Sequence, residues 1–181
     1  MRAGSPSIFL RFSGCNQQCR IETHEFDCDT EFVSGRKLEI PQIIAELKEI
    51  GDGCHWVVLS GGEPALQLDQ ELIDQLHQAG YKLAIETNGS IELPVGIDWI
   101  TVSPKVAEHA IRQLRANEVK YVRGYGQAIP KTVVEAEFKL ISPAFNGDLL
   151  DWKALEWCIQ LVKENPEWRL SVQQHKFWKV R

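Results

Sequence analysis

The sequence predicts an α/β fold, an incomplete barrel of about six parallel strands, and two observations indicate it. Short runs of β-branched and aromatic residues alternate with segments whose apolar residues repeat at helical spacing. Neighbouring parallel strands need a crossover, which a helix usually supplies, so this alternation favours βαβ units. A chain of 181 residues has room for about six strands, fewer than the eight of a closed α/β barrel. We therefore expect a single domain spanning residues 1–181.

The first part of the chain predicts two strands with a helix between them. SIFLRF (7–12) alternates polar and apolar residues, and HWVVLS (55–60) is a short apolar run that stops at two glycines. Between them, Pro41 opens a segment whose Ile43 and Leu47 share one helical face. This is one βαβ unit.

The remainder continues the pattern. Asp69 caps a second helix that Gly80 ends, and the strands KLAIE (82–86) and DWITVS (98–103) follow. The last elements are a strand VEAEFKLI (134–141), a helix that Asp151 caps, and a strand WRLSVQ (168–173). Polar, turn-rich motifs follow four of the predicted strands, and the carboxyl ends of parallel strands meet at one edge. We expect these motifs to converge on one site.

Composition excludes several classes of protein. The net charge of −5 provides no electrostatic footprint for nucleic acid. No apolar run approaches the roughly 20 residues of a membrane span, and the N-terminus lacks the apolar region of a signal peptide. Five cysteines, an odd number without an export signal, indicate a reducing compartment, and we expect the cytoplasm.

Three cysteines, Cys15, Cys19 and Cys28, crowd the loop after the first strand, within FSGCNQQCRIETHEFDCDTEF (12–32). Three thiolates can hold three irons of a [4Fe–4S] cluster and leave the fourth iron open to a ligand. Alternatively, the three thiolates and His24 could form a structural zinc site. The spacing alone leaves both possibilities open.

Further motifs resemble those of the radical S-adenosylmethionine enzymes, which carry three cysteines after the first strand and a Gly-Gly-Glu motif after the second. The closest resemblance is to the 7-carboxy-7-deazaguanine synthase family. The shared motifs cover almost the whole chain: PSIFLRFSGCN (6–16), CDTEF (28–32), LSGGEP (59–64), ETNG (86–89), DWITVSPK (98–105) and WRLSVQQHK (168–176).

The resemblance implies a lyase reaction in queuosine biosynthesis. The cofactors would be a [4Fe–4S] cluster, S-adenosylmethionine and Mg²⁺. A radical formed from S-adenosylmethionine would take a hydrogen from C6 of 6-carboxy-5,6,7,8-tetrahydropterin, and the ring would contract with loss of ammonia. The implied partners are an electron donor, such as flavodoxin or ferredoxin, and a second copy of the chain in a homodimer.

The resemblance also assigns residues. Cys15, Cys19 and Cys28 would hold the cluster, Thr30 would bind Mg²⁺, and Arg11, Ser60 and Arg181 would bind the substrate. The residues expected to contact S-adenosylmethionine are Asp27, Cys28, Asp29, Gly62, Glu63, Ser103, Pro104, Lys105, Ser142, Pro143, Ala144 and Phe145. Glycine lets the backbone approach a ligand closely. A buried arginine at position 11 would need an anion, and the carboxylate of the pterin is a natural partner.

Two departures from the family pattern stand out. Eight residues, RIETHEFD, separate Cys19 from Cys28, where the family usually has two, and Asp27 stands where an aromatic residue is common. The chain also begins after the upstream strand and the Gln-Gly-Glu-Gly stretch of the family, so we expect that strand to be missing. The alternative functions are an activase that installs a glycyl radical on a partner protein and a non-enzymatic, zinc-stabilised binding domain.

Overall fold

A computed structural model describes residues 4–17, 19, 34–146 and 149–178 of the chain. In the described residues, a main sheet of seven strands follows the order of the chain, and every neighbouring pair is parallel. Its strands are β1 (Ile8–Phe12), β2 (Trp56–Gly61), β3 (Lys82–Thr87), β4 (Trp99–Val102), β5 (Arg115–Arg123), β6 (Glu135–Pro143) and β9 (Trp168–Leu170). The short strands β7 (Phe145–Asn146) and β8 (Leu149–Leu150) pair as an antiparallel hairpin.

The helices are α1 (Ile40–Ile50), α2 (Gln70–Gln78), α3 (Trp152–Glu164) and α4 (Gln174–Trp178). The carboxylate of Asp69 accepts a hydrogen bond from the backbone N–H of Leu72 at the start of α2. That of Asp151 accepts from Lys153 and Ala154 at the start of α3. Both predicted N-caps are therefore confirmed.

The predicted α/β class is confirmed, but the strand count of about six omitted β5 (Arg115–Arg123). This strand alternates polar and apolar residues at its centre, where Glu118 and Lys120 alternate with the buried Val119 and Tyr121. Its polar residues lie on the same face of the sheet as the polar residues of β3 and β4. A strand with charges on one face lacks the apolar run by which the other central strands were recognised.

Two apolar clusters fill the space between the sheet and its helices. The first contains Val57, Leu59, Leu83 and Ile85 from the strands, together with residues of α1 and α2. The second contains Val102, Val119, Tyr121 and Ile141, packed with Cys158 of α3. Because side chains alternate along a strand, the intervening residues face the opposite side of the sheet.

That opposite, inner face carries polar groups in register across neighbouring strands. Ser60 pairs with Arg11, Glu86 pairs with Thr101, and Thr101 pairs with Glu118. The inner face therefore presents hydroxyl and charged groups near the carboxyl ends of the strands. In the part of the chain that the structure describes, no helix has the length and apolar character needed to cross a membrane.

Candidate active site

A cavity of about 190 Å³ opens at the carboxyl ends of the strands. Its lining comes from the loop after β1, the ends of β2, β3 and β6, strand β5, and the segments after β4, β6 and β9. The lining residues are Cys15, Gln17, Cys19, Ser60, Gly61, Gly62, Glu86, Thr87, Asn88, Ser103, Lys105, Lys120, Val122, Pro143, Phe145 and Gln173. The predicted convergence of polar motifs at one edge of the sheet is therefore present.

Two of the three predicted cluster ligands, Cys15 and Cys19, line this cavity, and both are partly exposed. The backbone N–H of Gln17 donates a hydrogen bond to Cys15 Sγ at 3.4 Å. The third predicted ligand, Cys28, lies outside the described residues. No group of three or more metal-ligating side chains occurs within the parts of the chain that the structure describes.

The loop after β2 is hydrogen bonded to the cysteine loop. The backbone N–H of Gly62 donates to Phe12 O at 3.0 Å, and that of Glu63 donates to Gly14 O at 2.9 Å. A Cβ added at Gly62 would lie 2.0 Å from the carbonyl oxygen of Gly14 and 3.1 Å from Cβ of Cys15. Position 62 therefore has room only for glycine, and this contact sets where the cysteine loop begins.

Glu63 is fully buried behind the cavity. Its Oε1 accepts hydrogen bonds from the backbone N–H of Ala65 at 3.0 Å and from the hydroxyl of Thr87 at 2.7 Å. Its Oε2 accepts from the backbone N–H of Asn88 at 2.7 Å. The carboxylate thus holds the turn after β3 against the loop after β2, while the neighbouring Gly62 faces the cavity. The expected contact between Glu63 and S-adenosylmethionine stays a prediction.

A chain of amide and hydroxyl groups joins the cysteine loop to the turn after β3. The side chain of Asn88 donates to Asn16 Oδ1 at 3.0 Å, and the side chain of Asn16 donates to Ser90 Oγ at 2.8 Å. The backbone N–H of Ser90 in turn donates to Asn88 Oδ1 at 2.9 Å. Because Asn16 directly follows Cys15, this network fixes the first cysteine relative to the sheet.

The cavity also holds charged groups. Lys120 Nζ lies 2.7 Å from Glu86 Oε2, with side chains 24% and 37% exposed. Lys105 Nζ donates to Ser103 Oγ at 3.1 Å. The described lining therefore holds two lysines and one glutamate beside the two cysteines, and the lysines offer cations to the anionic groups of a ligand.

Most of the described predicted site residues lie in this cavity or beside it. Ser60, Gly62, Ser103, Lys105, Pro143 and Phe145 line it together with the two cysteines. Pro104 lies between two lining residues in the chain. Ser142 and Ala144 flank Pro143, and both are buried.

Arg11 differs from the expectation. The side chain is exposed rather than buried, and its guanidinium carbon lies 5.5 Å from the centre of the Phe9 ring. The argument from a buried arginine that needs an anion was therefore wrong. The reason is topological, because β1 is at the end of the strand order and has a neighbour on one side only in the described sheet. Substrate binding by Arg11 stays a prediction.

Several predicted site residues lie outside the described residues, and the structure provides no test of them. They are Asp27, Cys28, Asp29, Thr30 and Arg181.

Sequence reasoning did not assign roles to seven lining residues: Gln17, Glu86, Thr87, Asn88, Lys120, Val122 and Gln173. The rule that reactive groups follow strands identified the ETNG motif as part of the site, and it could have assigned Glu86, Thr87 and Asn88 individually. Lys120 could not be found in this way, because its strand was not recognised. Gln173 Oε1 is a buried acceptor without a hydrogen-bond partner in the described residues, which suits a ligand that donates a hydrogen bond.

Cys158 is a different kind of thiol. It is fully buried on α3, and burial raises the pKa of its thiol from the ordinary value of 9.0 to about 11. The sequence predicts this core position, because Cys158 falls beside Leu155 and Ile159 on the apolar face of the helix, and its burial confirms the prediction. A protonated, enclosed thiol is inert, in contrast to the two partly exposed cysteines of the cavity.

The donor set fits a cluster with an organic cofactor beside it. Two thiols share one wall with the glycine backbone of the loop after β2, and hydroxyl and ammonium groups lie in the same cavity. Thiolate ligands suit iron–sulfur clusters, and hydroxyl and ammonium groups suit a carboxylate and a ribose.

The chain was compared with known proteins. No protein-family model matches it. A 7-carboxy-7-deazaguanine synthase of Burkholderia multivorans is 38% identical over 196 residues, covering 98% of this chain and 91% of the relative. Those of Bacteroides thetaiotaomicron and Nitratidesulfovibrio vulgaris are each 38% identical, over 179 and 202 residues, and each alignment covers 98% of this chain.

Among solved structures, the crystal structure of QueE from Escherichia coli superposes with a TM-score of 0.68 at 24% identity. The superposition covers 94% of this chain and 86% of that chain, and it supports the fold. The sequence matches favour the synthase over the activase and the zinc domain that the cysteine spacing left open. The chain belongs to the 7-carboxy-7-deazaguanine synthase family, a family of radical S-adenosylmethionine lyases.

Proposed function

We propose that this chain converts 6-carboxy-5,6,7,8-tetrahydropterin into 7-carboxy-7-deazaguanine with release of ammonia. Membership of the synthase family supports the reaction. The observation in this chain that supports the reaction is that Cys15 and Cys19 line one cavity together with Gly62 and the hydrogen-bonded Ser103 and Lys105. A protein that held zinc for structural reasons would have no need of such a cavity beside its thiols.

The chemistry divides between the cofactors and the protein. A [4Fe–4S] cluster and S-adenosylmethionine, when bound, supply the one-electron chemistry that removes a hydrogen atom from the pterin. Cys15, Cys19 and Cys28 would hold the cluster. Lys105 and Ser103 offer an ammonium and a hydroxyl group to S-adenosylmethionine.

The protein would also orient the pterin and exclude water from it. Ser60 lines the cavity from β2. Gln173 also lines it, and its Oε1, which accepts no hydrogen bond from the described residues, would accept one from an amine of the substrate. Arg11 would contribute positive charge for the carboxylate of the pterin, and Arg181 would contact the substrate through its terminal carboxylate. Mg²⁺ would be bound through Thr30 with most of its waters retained, as is usual for this ion.

The family resemblance further supports three proposals about the surroundings of the enzyme. The electron comes from a small redox protein such as flavodoxin or ferredoxin. Two copies of the chain form a homodimer. The protein works in the cytoplasm, where its five cysteines stay reduced.

Anaerobic reconstitution with iron and sulfide tests the proposal. The wild-type protein should bind about four irons per chain. When it is reduced and given S-adenosylmethionine, Mg²⁺ and the pterin, it should release the deazapurine and ammonia. Cys15→Ala should lose the cluster and all product, whereas the matched control Cys158→Ala, outside the cavity, should keep both. A protein with one zinc and no iron, or one that cleaves the cofactor without making the deazapurine, would contradict the proposal.

A further inference from the structure

The ion pair between Glu86 and Lys120 crosses the floor of the cavity. Glu86 lies on the inner face of β3 and Lys120 on that of β5, with β4 between them. In the strand registers, Glu86 is level with Thr101 and Glu118, so Lys120 lies two residues closer to the carboxyl end. Two long side chains therefore reach over β4 from opposite sides and meet at 2.7 Å, in the cavity that also holds Cys15 and Cys19.

Fold stability does not account for this pair. Its side chains are 37% and 24% exposed, and ion pairs of this kind contribute about 1 kcal/mol or less. Neither side chain makes another hydrogen bond to any residue that the structure describes. The other N–H groups of Lys120 and the other oxygen of Glu86 are therefore available to a ligand bound in the cavity.

The proposed reaction needs one proton donor and one proton acceptor. When ammonia leaves, a carbon–nitrogen bond breaks, and the nitrogen takes both bonding electrons and a proton. A ring carbon gives up a proton, and the electrons of its C–H bond form a carbon–carbon double bond. An amine is a poor leaving group without a general acid, and the ring carbon needs a general base.

We propose that Lys120 and Glu86 are this acid and base, an inference that rests on the proposed function. The ammonium group of Lys120 gives a proton to the departing nitrogen, and the carboxylate of Glu86 takes the proton from the ring carbon. The proton then passes from Glu86 to Lys120 along their 2.7 Å hydrogen bond, which restores the ion pair. The substrate loses one NH₃, and neither electrons nor protons are left over.

The composition of the cavity lining supports the assignment. Among the lining residues that the structure describes, Glu86 is the only carboxylate, and none is histidine. Lys105 is hydrogen bonded to Ser103, and Cys15 and Cys19 are committed to the cluster. The Glu86–Lys120 pair therefore offers a base and an acid in direct contact.

The variants Glu86→Gln and Lys120→Met test the proposal in the reconstituted enzyme. Glutamine keeps the shape of glutamate but cannot take a proton, and methionine keeps the length of lysine but cannot give one. In both, the rate of ammonia release should fall about 100- to 10,000-fold, the usual contribution of general acid–base catalysis, and the ratio of ammonia released to pterin consumed should fall below one. Mass spectrometry should detect a ring-contracted species with the mass of the substrate, because it has kept the nitrogen.

Matched controls separate chemistry from folding and binding. Glu135→Gln removes the carboxylate from an exposed pair with Arg115, outside the cavity, and should leave the ratio at one. Ammonia release should decline at low pH in Glu86→Asp, which keeps a carboxylate, as it does in the wild type. The decline should be absent in Glu86→Gln, which has no carboxylate at this position. If the Glu86–Lys120 pair had a purely structural role, these substitutions would not change how ammonia release declines at low pH.

The outcomes are distinct. If the wild-type enzyme does not consume the pterin, the proposed function fails. If it does, but both variants still release one ammonia per pterin consumed at the wild-type rate, the acid–base assignment is overturned. Weaker pterin binding with unchanged ammonia release at saturation also overturns it, because the pair would then only hold the substrate.

Discussion

The carboxylate of Glu63 accepts a 2.7 Å hydrogen bond from the hydroxyl of Thr87 in the interior of the protein. Glu63 follows β2 and Thr87 is the last residue of the neighbouring parallel strand β3, where it also lines the cavity. Glu63 therefore does not need to reach the cavity to affect it. It determines where the turn after β3 lies, and that turn carries Asn88, which in turn holds the cysteine loop through Asn16.

Glu63→Gln should destabilise the fold. Three donors converge on the buried carboxylate, and an amide offers one acceptor oxygen, so at least one donor would face the NH₂ group. We expect the free energy of unfolding to fall by about 1–3 kcal/mol, measured by chemical denaturation. The control Glu164→Gln changes an exposed residue that accepts from Gln160 and should stay within about 0.5 kcal/mol of the wild type. Equal stability of Glu63→Gln and the wild type would disprove the role of the three hydrogen bonds.

Asn16 and Asn88 should be energetically coupled although 72 positions separate them in the chain. A double-mutant cycle with Asn16→Ala and Asn88→Ala should give a coupling energy of about 0.5–1.5 kcal/mol. Each single variant should also lose iron to a chelator faster, because Cys15 would be less firmly placed. The equivalent cycle on the exposed Gln160–Glu164 pair should give a coupling near zero. Strict additivity of the two asparagine substitutions would refute the connection.

Gly62→Ala should damage the site by steric overlap, since the new Cβ would lie 2.0 Å from the carbonyl oxygen of Gly14. We expect a loss of about 1–3 kcal/mol in stability and less iron bound after reconstitution. The comparison is Gly124→Ala, where the nearest atoms are 3.8 Å away in the side chain of Gln127 and ordinary contact results. If both variants bind iron like the wild type, Gly14 and Gly62 are not packed as described.

The buried thiol of Cys158 should make stability fall at alkaline pH. Its pKa is about 11 in the folded protein and 9.0 ordinarily, so above pH 9 the unfolded state releases a proton that the folded state keeps. The contribution is complete below pH 9 and is lost as pH rises to about 11, by up to about 2 kcal/mol. In cluster-free protein under reducing conditions, Cys158→Ala should therefore show a smaller drop in stability between pH 9 and pH 11. Parallel curves for the two proteins would contradict the raised pKa.

Sequence reasoning worked where a local pattern and the final environment agree. The caps at Asp69 and Asp151 depend on groups within three residues along the chain, so the sequence contains the whole interaction. The core position of Cys158 follows from helical periodicity. The motifs at the ends of the strands predicted Gly62, Ser103 and Lys105 at the cavity, because all parallel strands end at the same edge.

It failed where distant segments decide the environment of a side chain. The sequence predicted that Arg11 is buried, but β1 lies at the end of the strand order and the side chain of Arg11 is exposed. The inner face of β5 was missed because Glu118 and Lys120 interrupt its apolar residues, and they are tolerated there because Thr101 and Glu86 lie opposite them.

The sequence by itself determined the class of fold, the family and the set of motifs that form the site, since each depends on residues close together in the chain. The tertiary structure alone decided which groups meet across strands: Glu63 with Thr87, Asn16 with Asn88, and Glu86 with Lys120. The physical reason is that strand order and register bring together residues that are 24 to 72 positions apart, and no local pattern encodes that distance.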